Sequence, residues 1–163
     1  TKSNSIIDFG CGKAKYYFEG FVVKNEKFPN LKDYWNVKTK LYDPAVKQFN
    51  KFTSKKFDIS ICVDVLEHCP LEDIDWIIED FISKSQKVVF VNISCSYAMA
   101  LLPNGQNAHI TVRSPKWWEK KFLELSDIYK NLSIIGSCTY LDHKKQTRSY
   151  GININDNLIN YLE

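Results

Sequence analysis

Asp8, Gly10 and Gly12 fall inside a stretch reading IIDFGCGKA at 6–14, where two glycines one residue apart follow an acid that closes a branched apolar run. Glycine reaches backbone angles closed to other residues and leaves room for a ligand against the main chain. Such a turn can cradle a cofactor, or it can merely link a strand to a helix. A second apolar run, TKLYD at 39–43, ends in Asp43. An acid at the tip of the second strand of an open α/β sheet commonly grips a ribose diol. The separation exceeds the roughly 20 residues of a dinucleotide fingerprint, and G-x-G-x-x-G fails because Lys15 stands at its last position. Further on, 94–113 is a polar stretch containing Asn104, Gln106, Asn107, His109 and Arg113. Imidazole titrates near neutral pH, which makes His109 the best candidate for a general base; a histidine bonded to backbone in a structured loop is the competing reading. Arg113 suits a carboxylate or phosphate of a substrate, or a surface acid. Trp117 is either a wall of the pocket or a partly buried ring.

The elements that must position these residues follow from hydrophobic period and punctuation. Residues 5–9 predict a short strand buried on both faces, then the glycine turn, then a helix opening at 14–18 that Gly20 weakens. The polar stretch KNEKFPNLKDYWN at 24–36 predicts irregular chain. A second strand covers 39–43, and Pro44 suits the first position of a short helix over AVKQFNKF. The run KFDISICVDVLEH at 56–68 is the clearest strand. Pro70, Glu72 and Asp73 suit a helix start, and Ile74, Ile77, Ile78, Phe81 and Ile82 repeat at the spacing of one apolar helix face. KVVFVNI at 87–93 predicts a buried strand; after the long loop, Ser114 and Pro115 predict an N-cap and first helical position. Two strands at 132–141 and 146–154, joined by a short polar turn, must be antiparallel to each other. Strands alternating with helices predict an α/β fold with a mostly parallel sheet. Ligands in such sheets bind at the carboxyl ends of the strands.

The 163 residues fit one domain over 1–163, and 44% hydrophobic content with 14% aromatic supplies a sizeable core. No apolar run reaches the roughly 18 residues of a membrane span, and the opening TKSNSIIDFG lacks the apolar centre of a signal peptide. A net charge of +3 is mild, and the basic groupings Lys51, Lys55, Lys56 and His143, Lys144, Lys145, Arg148 read as solvated loops ahead of a phosphate track. Nucleic acid is therefore not supported as a partner, and a small-molecule substrate is expected. Five cysteines, odd in number and without a C-x-x-C pair or Cys/His cluster, predict no structural zinc and no metal site. They suit reduced thiols in a cytoplasmic protein.

IIDFGCGKA resembles the first motif of class I S-adenosylmethionine-dependent methyltransferases, LYDP their ribose-binding acid, and FDISICVDVLEH their fourth-strand segment. LPNGQNAHITVRSPKWWEKKF is similar to a stretch of a short bacterial and phage methyltransferase-like group, so the resemblance spans roughly 5–125. It implies a Rossmann-like, three-layer α/β/α fold with S-adenosyl-L-methionine as cofactor and S-adenosyl-L-homocysteine as product. Asp8, Phe9, Gly10 and Gly12 would line the methionine moiety, with Cys11 lending backbone contacts. Asp43 would take the ribose hydroxyls, and Asp64, Val65 and Leu66 would border the sulfonium and the substrate entrance. Glu67 and His68 match the motif as well, with packing and capping as the plainer account. Asn107, Arg113 and Trp117 would meet the substrate, and His109 would be the base.

Two departures matter. Ala14 replaces the family's third glycine. Only 13 residues lie between Asp43 and Phe57, too few for the family's third strand and its adenine-binding acid. The expectation is therefore six strands in the order 2-1-4-5-7-6 by the family's labels, with an adenine pocket improvised from Tyr42, Pro44 and Phe49. The N-P-P-Y signature of amino-methyltransferases is absent. Beside a methyltransferase stands a second reading, a non-catalytic or partner-dependent module that binds the same cofactor.

Overall fold

The computed structural model describes residues 3–155. In chain order the elements are β1 (Ser5–Phe9), a 3-10 turn (Lys15–Tyr17), β2 (Phe21–Val23), β3 (Glu26–Phe28), α1 (Leu31–Trp35), β4 (Lys38–Tyr42) and β5 (Phe57–Val63). Two 3-10 turns (Leu66–His68 and Leu71–Asp73) lead into α2 (Ile74–Ser83), followed by β6 (Ser85–Ser94), α3 (Pro115–Ser126), β7 (Ser133–Leu141) and β8 (Thr147–Ile154). The protein is α/β, with one six-stranded sheet in the order β4-β1-β5-β6-β7-β8 and a separate hairpin of β2 and β3. All neighbours in the large sheet are parallel except β7 and β8. This arrangement is compatible with a Rossmann-like fold.

Residue alternation assigns the two faces of the sheet. Phe9, Cys62, Val89, Val91, Ile93, Ile134 and Cys138 point to one side, as the period of two requires. There they meet the apolar stripe of α2, with Ile74, Ile78, Phe81 and Ile82 almost fully buried, and Trp118 and Phe122 of α3. Ser114 caps α3 by accepting a hydrogen bond from the Trp117 amide, with Pro115 at the first helical position. The opposite face carries a smaller core around Ala14, Tyr17, Leu41 and Phe49 at the β4 edge. Beyond it, Ile59, Ile61, Val88 and Ile135 line an open apolar groove, and Val63 and Phe90 are 39% and 37% exposed. The expected third layer is thus confined to α1 and the turn before it, among the described residues. No helix among them is long and apolar enough to cross a membrane.

Several local expectations are corrected. The stretch expected to be irregular holds the turn and second strand of the β2–β3 hairpin, then α1. Lys24 and Asn25 both take positive φ, 48° and 69°, which is the two-residue turn that suits the twist of a hairpin. Phe21, Phe28 and Tyr34 pack their rings together behind it. The helix expected at 14–18 is only a 3-10 turn. The helix expected after Pro44 is a series of turns, because the Asp43 amide donates to the Phe49 carbonyl and folds the segment back. The edge order differs too. In the family's labels the last strands run 6-7, with β7 beside β6 and β8 outermost. Gly136 lies opposite Val91, where a Cβ would strike the Val91 carbonyl, so β7 can sit directly against β6. The tight 142–146 turn, held by the Asp142 carboxylate on the Lys144 and Gln146 amides and on Arg148, then leaves β8 only the outside position.

Candidate functional site

The glycine turn joins β1 to the tip of β4. The amides of Gly10 and Cys11 both donate to the Tyr42 carbonyl, at 2.8 and 3.1 Å. Gly10 has φ of 82°, and a Cβ there would run into the branched side chain of Val65. Gly12, at φ 55°, faces open space instead. Asp43 ties the turn from beneath: its carboxylate accepts from the Gly12 amide at 2.8 Å and from the Ala45 amide at 2.9 Å. One acid therefore fastens both strand tips, and each oxygen keeps a further lone pair.

A cleft of about 430 Å³ opens at these carboxyl ends. Phe9, Gly10, Gly12, Tyr42, Asp43 and Pro44 form one side. Asp64 and Val65 come from the end of β5, with His68 and Cys69 after them. Trp76, Ile77 and Asp80 of α2 close the third side. The sequence expectations for Phe9, Gly10, Gly12, Asp43, Pro44, Asp64 and Val65 thus converge on one cavity. Asp64 is held in a left-handed conformation, φ 53°. Its carboxylate accepts from the Asn92 amide side chain at 2.7 Å, and Asn92 in turn accepts from the Ser137 hydroxyl at 2.7 Å. A relay of side chains across β6 and β7 therefore aims this acid. Burial raises the Tyr42 hydroxyl above its usual range, and Asp80 and Asp43 add to the shift, which places all three around one corner.

Other expected residues sit elsewhere. Asp8 and Cys11 line a separate cavity of about 270 Å³ with Tyr17 and Trp35, and Gly10 is the partition between the two. Burial lifts the Asp8 carboxyl to about 6. The Tyr17 hydroxyl beside it pulls the other way although it closes no hydrogen bond of normal geometry, and Asp43 pushes up further. Burial with the neighbouring acids pushes the Cys11 thiol to about 12, which disfavours the reactive thiolate. Leu66 is buried in the main core. Phe49 is buried and stacks on Phe18, away from the cleft.

The loop between β6 and α3 is sewn to the segment after β5. Thr111 donates its amide to the Glu67 carbonyl and its hydroxyl to the Cys69 carbonyl, at 3.0 and 2.7 Å. Asn107 spends its side chain inside the loop, on Ala98 in both directions and on the His109 amide. Arg113 donates to the Val112 carbonyl and lies over the Trp117 ring, which packs edge-on against Trp118. His109 bonds through Nδ1 to the Ser96 carbonyl at 2.6 Å, and its ring packs edge-on against His68, 4.7 Å between centroids. His68, not His109, lines the cleft. Behind them Glu67 is fully buried; one carboxylate oxygen accepts from the Ser94 amide at 2.9 Å, and the other has no partner. Burial raises its carboxyl above the usual range.

Glu67, His68 and His109 bring ligand atoms within 4.8 Å of one another, a grouping that no local spacing marks, because His109 stands far along the chain from the other two. Glu67 and His68 were legible only as a motif match, and their partner lies across the loop. Trp76 and Asp80 were also missed; no motif marks them, and their one signal is that they alternate with the apolar stripe of α2. Compared with known proteins, the chain matches no family model, no curated protein and no solved structure.

Proposed function

We propose that this protein is an S-adenosyl-L-methionine-dependent methyltransferase acting on a small molecule. The observation that carries this reading is the meeting of the Gly10–Gly12 turn, Asp43 and Asp64–Val65 in one cleft at the carboxyl ends of β1, β4 and β5. The residues fit such a cofactor. The cleft lies within the roughly 300–1,000 Å³ of small-molecule sites, and Gly12 leaves its mouth open where a side chain would intrude. Its charged residues, Asp43, Asp64 and Asp80, are all acids, which suits a cationic ligand with a diol and disfavours phosphate chains.

When bound, the cofactor supplies a methyl group activated by its sulfonium. The protein's part is to bind and align. Asp43 takes the ribose hydroxyls while continuing to hold the turn. Asp64, aimed by Asn92, and Val65 border the reacting end. Tyr42 and Pro44 flank the adenine, and Asp80 offers its amino group the acid that the missing strand would have carried. Bringing reactants into line accounts for most of the chemistry such an enzyme must provide. His68 is the imidazole on the cleft wall, with His109 packed behind it. The binding-only alternative is favoured by one observation, that the Asn107 side chain is engaged within the loop, on Ala98 and on the His109 amide.

Calorimetry with S-adenosylmethionine and S-adenosylhomocysteine tests the reading. Both should bind, and Asp43→Ala should weaken them by at least about tenfold, since a hydrogen bond to a charged acceptor contributes roughly 1.5–3 kcal/mol. No binding of either ligand to the folded wild type would end the proposal. Binding without turnover across an acceptor panel would favour the binding module.

A further inference from the structure

We infer that Glu67, His68 and His109 form a binding site for one divalent transition-metal ion on the wall of the cleft. Their ligand atoms lie within 4.8 Å of one another, close enough to shrink onto a common ion with small side-chain adjustments. The donors are prepared for it. Nδ1 of His68 lies 2.8 Å from the Ala108 carbonyl and Nδ1 of His109 lies 2.6 Å from the Ser96 carbonyl. A carbonyl oxygen only accepts, so each Nδ1 carries the proton and each Nε2 keeps its lone pair. Fixing the tautomer and ring through the other nitrogen is how metal-binding histidines are commonly held.

Glu67 supplies the independent observation. It is fully buried, one oxygen is anchored on the Ser94 amide, and the second oxygen has no partner. A buried carboxylate oxygen without a partner is costly, and a cation between it and the two imidazoles would satisfy it. Two nitrogens and one carboxylate suit zinc, cobalt, manganese or iron ahead of magnesium or calcium, which prefer all-oxygen shells. Three protein ligands leave positions for water or substrate, and His68 also lines the cleft. The site stands without the methyl-transfer reading; its use there, to hold an oxygen of the acceptor beside the cofactor, rests on that reading.

The chelator-treated 163-residue chain would be titrated with Co²⁺ and Zn²⁺, following heat and the visible Co²⁺ spectrum. One equivalent should bind, with the spectrum of a mixed nitrogen and oxygen shell. His68→Ala, His109→Ala and Glu67→Gln should each lower the affinity by at least about tenfold, in line with the about 10–100-fold losses seen when even supporting groups of metal sites are removed. His143→Ala, which removes the remaining histidine, should leave it unchanged. Should Glu67→Gln not fold, the two surface-side histidine variants carry the test alone. No stoichiometric binding, or binding that survives both histidine variants, overturns the site. Cofactor calorimetry on the metal-free protein is a separate measurement, so failure of one proposal leaves the other legible.

Discussion

Asp8 holds its proton to about pH 6 because folding removes it from water, against an ordinary value of 3.8. The folded state therefore binds more protons than the unfolded chain between about pH 4 and 6, and stability drains away as pH rises through that window. Above about 6 the loss is complete. Asp8→Asn should remove this slope, so melting temperatures of the variant and the wild type, compared from pH 4 to 7, should diverge in the variant's favour as pH rises. Parallel curves would show that Asp8 ionises freely. The glycines separate in a similar way. Gly12→Ala meets no atom and should cost only the left-handed strain of a side chain, about 1–2 kcal/mol. Gly10→Ala adds the collision with Val65 and should cost clearly more, with part recovered in Gly10→Ala/Val65→Ala. Equal melting points for the two single variants would contradict that division.

At the scale of elements, the sheet has two unlike faces, and neighbouring positions in β6 report on them. Val91 is fully buried beneath α2 and α3, whereas Phe90 is 37% exposed on the part of the opposite face that α1 leaves open. Val91→Ala should cost about 1–3 kcal/mol through lost burial and the cavity left behind. Phe90→Ser, despite deleting a larger side chain, should cost less than half of that. Denaturant midpoints would decide it, and a larger loss at Phe90 would mean that something packs on the open face. The loop between β6 and α3 behaves as part of this scaffold: its hydrogen bonds to Glu67, His68 and Cys69 tie the end of β5 to the start of α3.

For the molecule as a whole, function depends on strand tips that are far apart in sequence. β1 brings the glycine turn, β4 brings Asp43, β5 brings Asp64 and Val65, and α2 brings Asp80 to the same cleft. Asp43→Ala therefore tests a joint as well as a ligand contact. It should lower the melting temperature along with cofactor affinity, because the Gly12 and Ala45 amides lose their acceptor.

The amino-acid sequence by itself determined the features that local physics enforces. Dense Ile and Val runs became β5 and β6, the Ile and Phe spacing became the buried stripe of α2, Ser114 and Pro115 started α3, and positive-φ glycines closed the β1 turn. Each of these is decided by burial period or backbone sterics within a few residues. The tertiary structure alone decided the rest. The place of β7 beside β6 depends on the close approach at Gly136 and Val91, a contact between separate strands. Phe49 turned away from the cleft because its carbonyl folds back on Asp43. Asn107 became a loop brace, and His109 came to rest on His68 beside the unpaired oxygen of Glu67. Those outcomes are hydrogen bonds and ring contacts that exist only once the loop has crossed the strand ends, and no periodicity along the chain encodes them.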